Sequence, residues 1–113
     1  MDSENLLILW TSADKEVAQK MVFMYALNSK KELWWNEVTV LIWGPSSKLT
    51  ARSNAIRRQV EELISAGVRV IACKQCADSY GIANKLSEIG IEVFYTGKFI
   101  TDWIKANKKI ITI

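Results

Sequence analysis

With 113 residues, the chain is read as one domain, 1–113, large enough to bury a core without disulfides or metal. Half of it is apolar and 24% charged, and a net charge of +3 without a dense Lys/Arg block argues against nucleic acid as a partner. Two cysteines and no histidine exclude a disulfide framework and the usual four-ligand zinc sites, and no apolar stretch reaches the roughly 20 residues of a membrane span.

The start, Met1-Asp2-Ser3-Glu4, is acidic and lacks the basic region of a signal peptide. A cytoplasmic protein is expected. Leu6-Leu7-Ile8-Leu9-Trp10 is continuously apolar, as in a strand covered on both faces. Thr11 to Asp14 has capping-box spacing and predicts a helix to about Asn28, with Val17, Met21, Met24 and Tyr25 as its inner stripe. Val38 to Trp43 is a second buried strand, stopped by Gly44-Pro45. Ile56, Val60, Leu63 and Ile64 recur at helical spacing, and Gly67 follows as the left-handed residue past the helix end. Arg52, Arg57 and Arg58 are read as a solvated face of this helix.

Val68 to Ala72 is the third strand and leads straight into Cys73-Lys74-Gln75-Cys76-Ala77-Asp78-Ser79-Tyr80-Gly81. Gly81 breaks the following helix, whose second part runs from Ile82 to Ile89. Ile91 to Tyr95 is the fourth strand. Phe99, Ile100, Trp103 and Ile104 mark a short amphipathic helix, and Lys109 to Ile113 is the fifth strand. Strands alternating with helices through short connections predict an α/β fold, a parallel sheet between helical layers. Chemistry in such folds collects beyond the carboxyl ends of the strands. Cys73 lies at such an end, as do Thr11, Ser12 and the Trp43-Gly44-Pro45-Ser46-Ser47 loop.

Cys73 is the best candidate for chemistry. A helix start presents unpaired N–H groups and a partial positive charge, and Lys74 stands beside the thiol. An ordinary thiol, with pKa about 8.5, is only ~3% thiolate at pH 7, and the thiolate is the nucleophile. The alternative is a small apolar plug at a strand end, since free cysteines are often buried. Cys76 lies one turn on, placed to resolve a modified Cys73 or simply to pack on the sheet. Cys-x-x-Cys at a helix start resembles thioredoxins, but those present a cis-proline from a later strand, and Pro45, the sole proline, comes earlier. Pro45 is read chiefly as a turn, with Ser46 and Ser47 facing the cysteine pocket if the second and third strands are adjacent. Asp78 and Ser79 either polarise a substrate or cap the broken helix. Trp10 and Trp43 are expected inside, whereas Trp34 and Trp35 do not both point inward easily, so at least one is expected to contact another subunit, packing against the end of the first helix being the alternative.

The chain resembles the DsrE/DsrF-like (DsrEFH-like) proteins of bacterial and archaeal sulfur metabolism almost end to end. The resemblance is carried by residues 20–27 (Lys-Met-Val-Phe-Met-Tyr-Ala-Leu), by Leu41-Ile42-Trp43-Gly44-Pro45-Ser46, by the segment from Ala72 to Gly81, and by Gly97 with Ile100 to Trp103. It implies a three-layer α/β/α sandwich with a five-stranded parallel sheet, assembled as a trimer or hexamer. In the sulfur-relay members a cysteine after the third strand, eight residues before a glycine, accepts sulfane sulfur as a persulfide; Cys73 stands so before Gly81. Cys76 is outside the relay pattern, although small members of this kind share the pair. The resemblance thus implies a sulfur carrier, with donor and acceptor proteins as possible partners; no cofactor or metal is expected. Its rivals are a non-enzymatic ligand-binding or assembly subunit in which Cys73 lines a pocket, and a Cys73/Cys76 dithiol redox protein.

Overall fold

A computed structural model describes residues 4–113; Met1, Asp2 and Ser3 of the acidic start lie outside the described residues. Five strands, β1 (Asn5–Trp10), β2 (Glu37–Ile42), β3 (Arg69–Cys73), β4 (Glu92–Phe94) and β5 (Lys109–Thr112), form one sheet in the order β4-β3-β2-β1-β5. Every pairing is parallel.

The order dictates the layers. The steps from β1 to β4 all move the same way across the sheet, so right-handed crossovers put their helices on one face. The return from β4 to β5 runs the other way and puts its helix, α7 (Gly97–Lys105), on the opposite face. Alternation along β1 matches this: Leu6, Ile8 and Trp10 join the large core, while Leu7 and Leu9 join a smaller cluster packed against Phe99, Ile100 and Trp103 of α7. The architecture is the expected α/β/α sandwich, with one layer made of a single short helix. Ile104 is left half exposed on its outer side.

The first helical segment opens later than expected. Thr11 still donates its N–H to the Ile113 carbonyl at 2.8 Å, so the chain leaves the sheet only beyond it. Asp14 is the N-cap, its carboxylate accepting the Val17 N–H at 3.0 Å. The helix then runs through α1 (Lys15–Val17), a π-helical stretch Ala18–Phe23, and α2 (Met24–Lys31). The buried residues are Ala18, Val22, Phe23, Ala26 and Ser29, not the expected Val17, Met21, Met24 and Tyr25. The displacement is already present at Ala18, the first residue of the π stretch, so it follows from the late helix start after Asp14. Met21, Met24 and Tyr25 consequently face outward.

After β2 the sequence suggested only a turn, but Gly44-Pro45 opens a helix, α3 (Pro45–Arg52), with proline in its first turn. Ser53 caps the next helix, α4 (Asn54–Ser65), by accepting the Ile56 N–H. The three arginines therefore fall on two helices. Arg57 is not merely solvated, since its guanidinium donates to the carbonyls of Thr50 and Ala51 at the end of α3, whereas Arg52 and Arg58 are exposed. Gly67 has φ +96°, the left-handed conformation expected past α4. Among the described residues no helix is long and apolar enough to cross a membrane.

Candidate functional site

Cys73 is at once the last residue of β3 and the N-cap of α5 (Lys74–Tyr80). No loop intervenes, so the thiol's place is fixed by the sheet. Val70 and Ala72 pack in the large core and Ile71 in the α7 cluster. The same alternation puts Cys73 on the α7 face. α5 ends at Gly81, whose φ of +70° suits a residue without Cβ. There Ile82 N–H bonds the Ala77 carbonyl and Gly81 N–H the Asp78 carbonyl, closing the helix end with paired backbone bonds. A second short helix, α6 (Ala83–Glu88), completes the connection.

Cys73 is only 7% exposed, and Cys76 is half-buried. Burial pushes the Cys73 thiol up. The Cys76 N–H, the Thr96 hydroxyl, the Cys76 thiol and the Gln75 N–H all favour its anion, and the balance lies below the ordinary thiol value. Cys76 moves the opposite way: burial and the neighbouring Cys73 raise it, although the Gly44 N–H faces its sulfur and lowers it. The two thiols thus shift in opposite directions, Cys73 below and Cys76 above the ordinary value.

Lys74 does not supply the shift expected of it. Its ammonium pairs with Asp78 one turn on at 2.8 Å and lies over the Tyr95 ring, 5.6 Å from its centroid. The groups that favour the thiolate are backbone N–H, a hydroxyl and the second thiol. Asp78 is accordingly the partner of Lys74, and Ser79 donates to the Cys76 carbonyl at 3.2 Å.

The remaining predicted positions divide into two sets. Gly44 is brought to Cys76, through a backbone at φ +73° and ψ −135° that favours glycine. Pro45 is exposed beside it in the first turn of α3. Ser46 is fully buried and bonded: it donates to the Trp10 carbonyl at 2.6 Å and accepts the Trp43 N–H at 3.1 Å. Thr11 donates its hydroxyl to the Ile113 carbonyl, and Ser12 accepts the Asp14 N–H. These three hydroxyls hold chain segments to one another. Trp43 is not inside, being 41% exposed. Alternation places it on the α7 face, where the packed cluster on β2 ends at Leu41, and the Ile42–Ala72 pairing puts it in register beside Cys73.

Sequence reasoning missed Thr96, which is 1% exposed and stands just before α7. No local signal marks it: Thr96 lies two residues past β4, and only the pairing of β4 with β3 brings that strand end beside Cys73. Among the described residues no group of three or more Cys, Asp or Glu side chains is arranged to hold a metal ion.

The family model for the DsrE/DsrF-like family matches residues 5–113. Among curated proteins none matches the chain. Of solved structures, a conserved protein of unknown function from Bacteroides thetaiotaomicron, BT1422, is 35% identical with a TM-score of 0.95, over 97% of this chain and 95% of that one. MTH1491 of Methanobacterium thermoautotrophicum, also of unknown function, is 19% identical with a TM-score of 0.80 over 96% and 98% of the two chains. The ychN protein of E. coli is 17% identical with a TM-score of 0.76 over 97% and 99%. These last two are likenesses of fold alone. The matched model spans every strand and the cysteine pair, and the chain belongs to the DsrE/DsrF-like family.

Proposed function

We propose that this protein is a sulfur carrier in which Cys73 accepts sulfane sulfur and passes it on. The Cys73 thiolate attacks the outer sulfur of a donor persulfide or short polysulfide. A new S–S bond forms on Cys73, the donor's S–S bond breaks, and the donor leaves as a thiolate, with no net oxidation. An acceptor thiolate then takes the outer sulfur and Cys73 returns as the leaving thiolate. The observation that carries this reading is the place of Cys73, the last residue of β3 and the N-cap of α5 at the carboxyl edge of the sheet, and the lowered direction of its ionisation supports it. The test is mass spectrometry after exposure to a small polysulfide. A gain of about one sulfur atom, removable by reductant and mapped to Cys73, is expected; uptake that persists in Cys73→Ser would end the proposal.

Cys76 in the first turn of the helix that Cys73 caps, with both thiols free, favours a second reading. In it Cys76 attacks the inner sulfur of the loaded Cys73, forming a Cys73–Cys76 disulfide and releasing hydrosulfide, and a cellular dithiol must then reduce the bond. Failure of that disulfide to form under mild oxidation would remove this reading.

We propose further that the carrier works as a homo-oligomer and that Trp34 contributes to the contact. Trp34 is 59% exposed, while Trp35 packs against the core and donates its indole N–H to Tyr25. Trp34 lines a groove of about 370 Å³ with Met21, Met24, Tyr25, Ile111 and Ile113, beside the edge strand β5.

A further inference from the structure

We infer that the Thr96 hydroxyl is a side-chain donor that favours the Cys73 sulfur as an anion. The inference deepens the carrier reading and rests on Cys73 being its reactive sulfur. Thr96 occupies the N-cap of α7, where a threonine oxygen ordinarily accepts a backbone N–H from the first turn. Here it accepts none. The helix entry is made by the Thr96 carbonyl, which accepts the Ile100 N–H at 2.9 Å. The hydroxyl is instead buried, and it has no hydrogen-bond partner. Such a group calls for an explanation, because an unmade buried hydrogen bond is costly.

The topology supplies one. Cys73 pairs in register with Phe94 on the adjacent strand, so Thr96 lies just past the carboxyl end of the strand beside the thiol. Cys73 points to the α7 face, and Thr96 begins α7. A neutral thiol is a weak acceptor, whereas a thiolate accepts strongly. The hydroxyl therefore gains its partner when the sulfur is charged. Thr96 is one of the groups close enough to the Cys73 thiol to favour its anion. The titratable groups nearby are Cys76 and the Lys74–Asp78 pair on α5, and Tyr95 beside Thr96; of these Cys76 bears on the Cys73 thiol.

In the loaded form the charge sits on the outer sulfur, one bond further from Thr96. The hydroxyl thus serves Cys73 as attacking and as leaving thiolate, and its loss slows both uptake and release. A purely structural role would ask only for a β-branched shape, which valine supplies equally.

The experiment compares Thr96, Thr96→Val and Thr96→Ser in a Cys76→Ser background, following Cys73 alkylation by iodoacetamide across pH. Thr96→Val is expected to slow alkylation at pH 7 by about tenfold and to move the midpoint of the pH profile upward, with Thr96→Ser restoring both. An unmoved midpoint in Thr96→Val overturns the inference, as does a Thr96→Ser profile that follows valine instead of threonine. Thr96→Ala carries the same expectation if the valine variant folds poorly. Failure of the wild-type protein to take up sulfur would defeat the carrier reading and leave this result untouched.

Discussion

The Ser46 hydroxyl donates to the Trp10 carbonyl at 2.6 Å, binding the segment after β2 to the end of β1. The Trp10 carbonyl also accepts the Trp43 N–H at 3.0 Å, so losing Ser46 leaves neither backbone group an orphan. Ser46→Ala should therefore destabilise by only about 1–2 kcal/mol. Ser47 is equally buried, but its hydroxyl has no partner, and Ser47→Ala should be neutral or slightly stabilising. Urea denaturation of the two variants checks the difference. Equal losses would contradict the hydrogen bonding described.

Gly44 tests a different contribution. A Cβ added there would meet no atom within 4 Å, so Gly44→Ala carries no steric clash and its cost comes from the backbone alone. For an alanine held at φ +73° and ψ −135° that is about 1–3 kcal/mol. Relaxation of the turn would also carry the Gly44 N–H away from the Cys76 sulfur, whose ionisation it favours. The expected outcome is a less stable protein in which Cys76 reacts with iodoacetamide only at still higher pH. Unchanged Cys76 reactivity would show that this N–H does not act on it.

The sheet and its layers were legible because buried strands and their glycine stops leave strong local signals. Leu6 to Trp10 and Val38 to Ile42 are apolar at every position but Thr39, and Gly67 and Gly81 stand where the backbone turns left-handed. Phase was less legible. Met21, Met24 and Tyr25 are larger than Ala18 and Ala26, yet the helix presents Ala18, Val22, Phe23 and Ala26 to the core. The helix α3 was hidden because Gly44-Pro45 reads as a turn and its residues, Ser46 and Ser47 included, are mostly short and polar. At the site, Cys73 and Gly44 could be placed from strand ends alone. Thr96 could not be found from local spacing, because it meets Cys73 through strand pairing across 23 positions of sequence.

Cys73 ionisation also makes stability depend on pH. The folded protein holds this thiol below its ordinary value, so in the window between the folded and unfolded values the unfolded chain binds more protons. The resulting stability is fully present above the unfolded thiol value of about 8.5 and is lost as pH falls through the folded one. Cys76 is raised and works with the opposite sign, so the comparison belongs in a Cys76→Ser background. There the stability advantage over the additional Cys73→Ser variant should grow as pH rises toward 9. A difference that stays flat with pH would mean the fold does not favour the thiolate.

Assembly through Trp34 makes a prediction independent of the cysteines. Trp34 lies in a tilted arrangement 6.1 Å from the Tyr25 ring, and Met21 and Met24 are each half exposed in the same groove. Contiguous exposed aromatic and methionine side chains suit an interface core, where a few such residues supply most of the affinity. A charge at the centre of such a contact leaves a buried ion without a partner, at a cost of several kcal/mol. Trp34→Glu should therefore shift the light-scattering mass toward the 12.8 kDa monomer. Because Trp34 is exposed in the single chain, the variant should keep its fold, visible as an unchanged far-ultraviolet circular dichroism spectrum. Wild-type protein that is already monomeric at high concentration would refute the assembly, and an oligomer that survives Trp34→Glu would place its contact on another face.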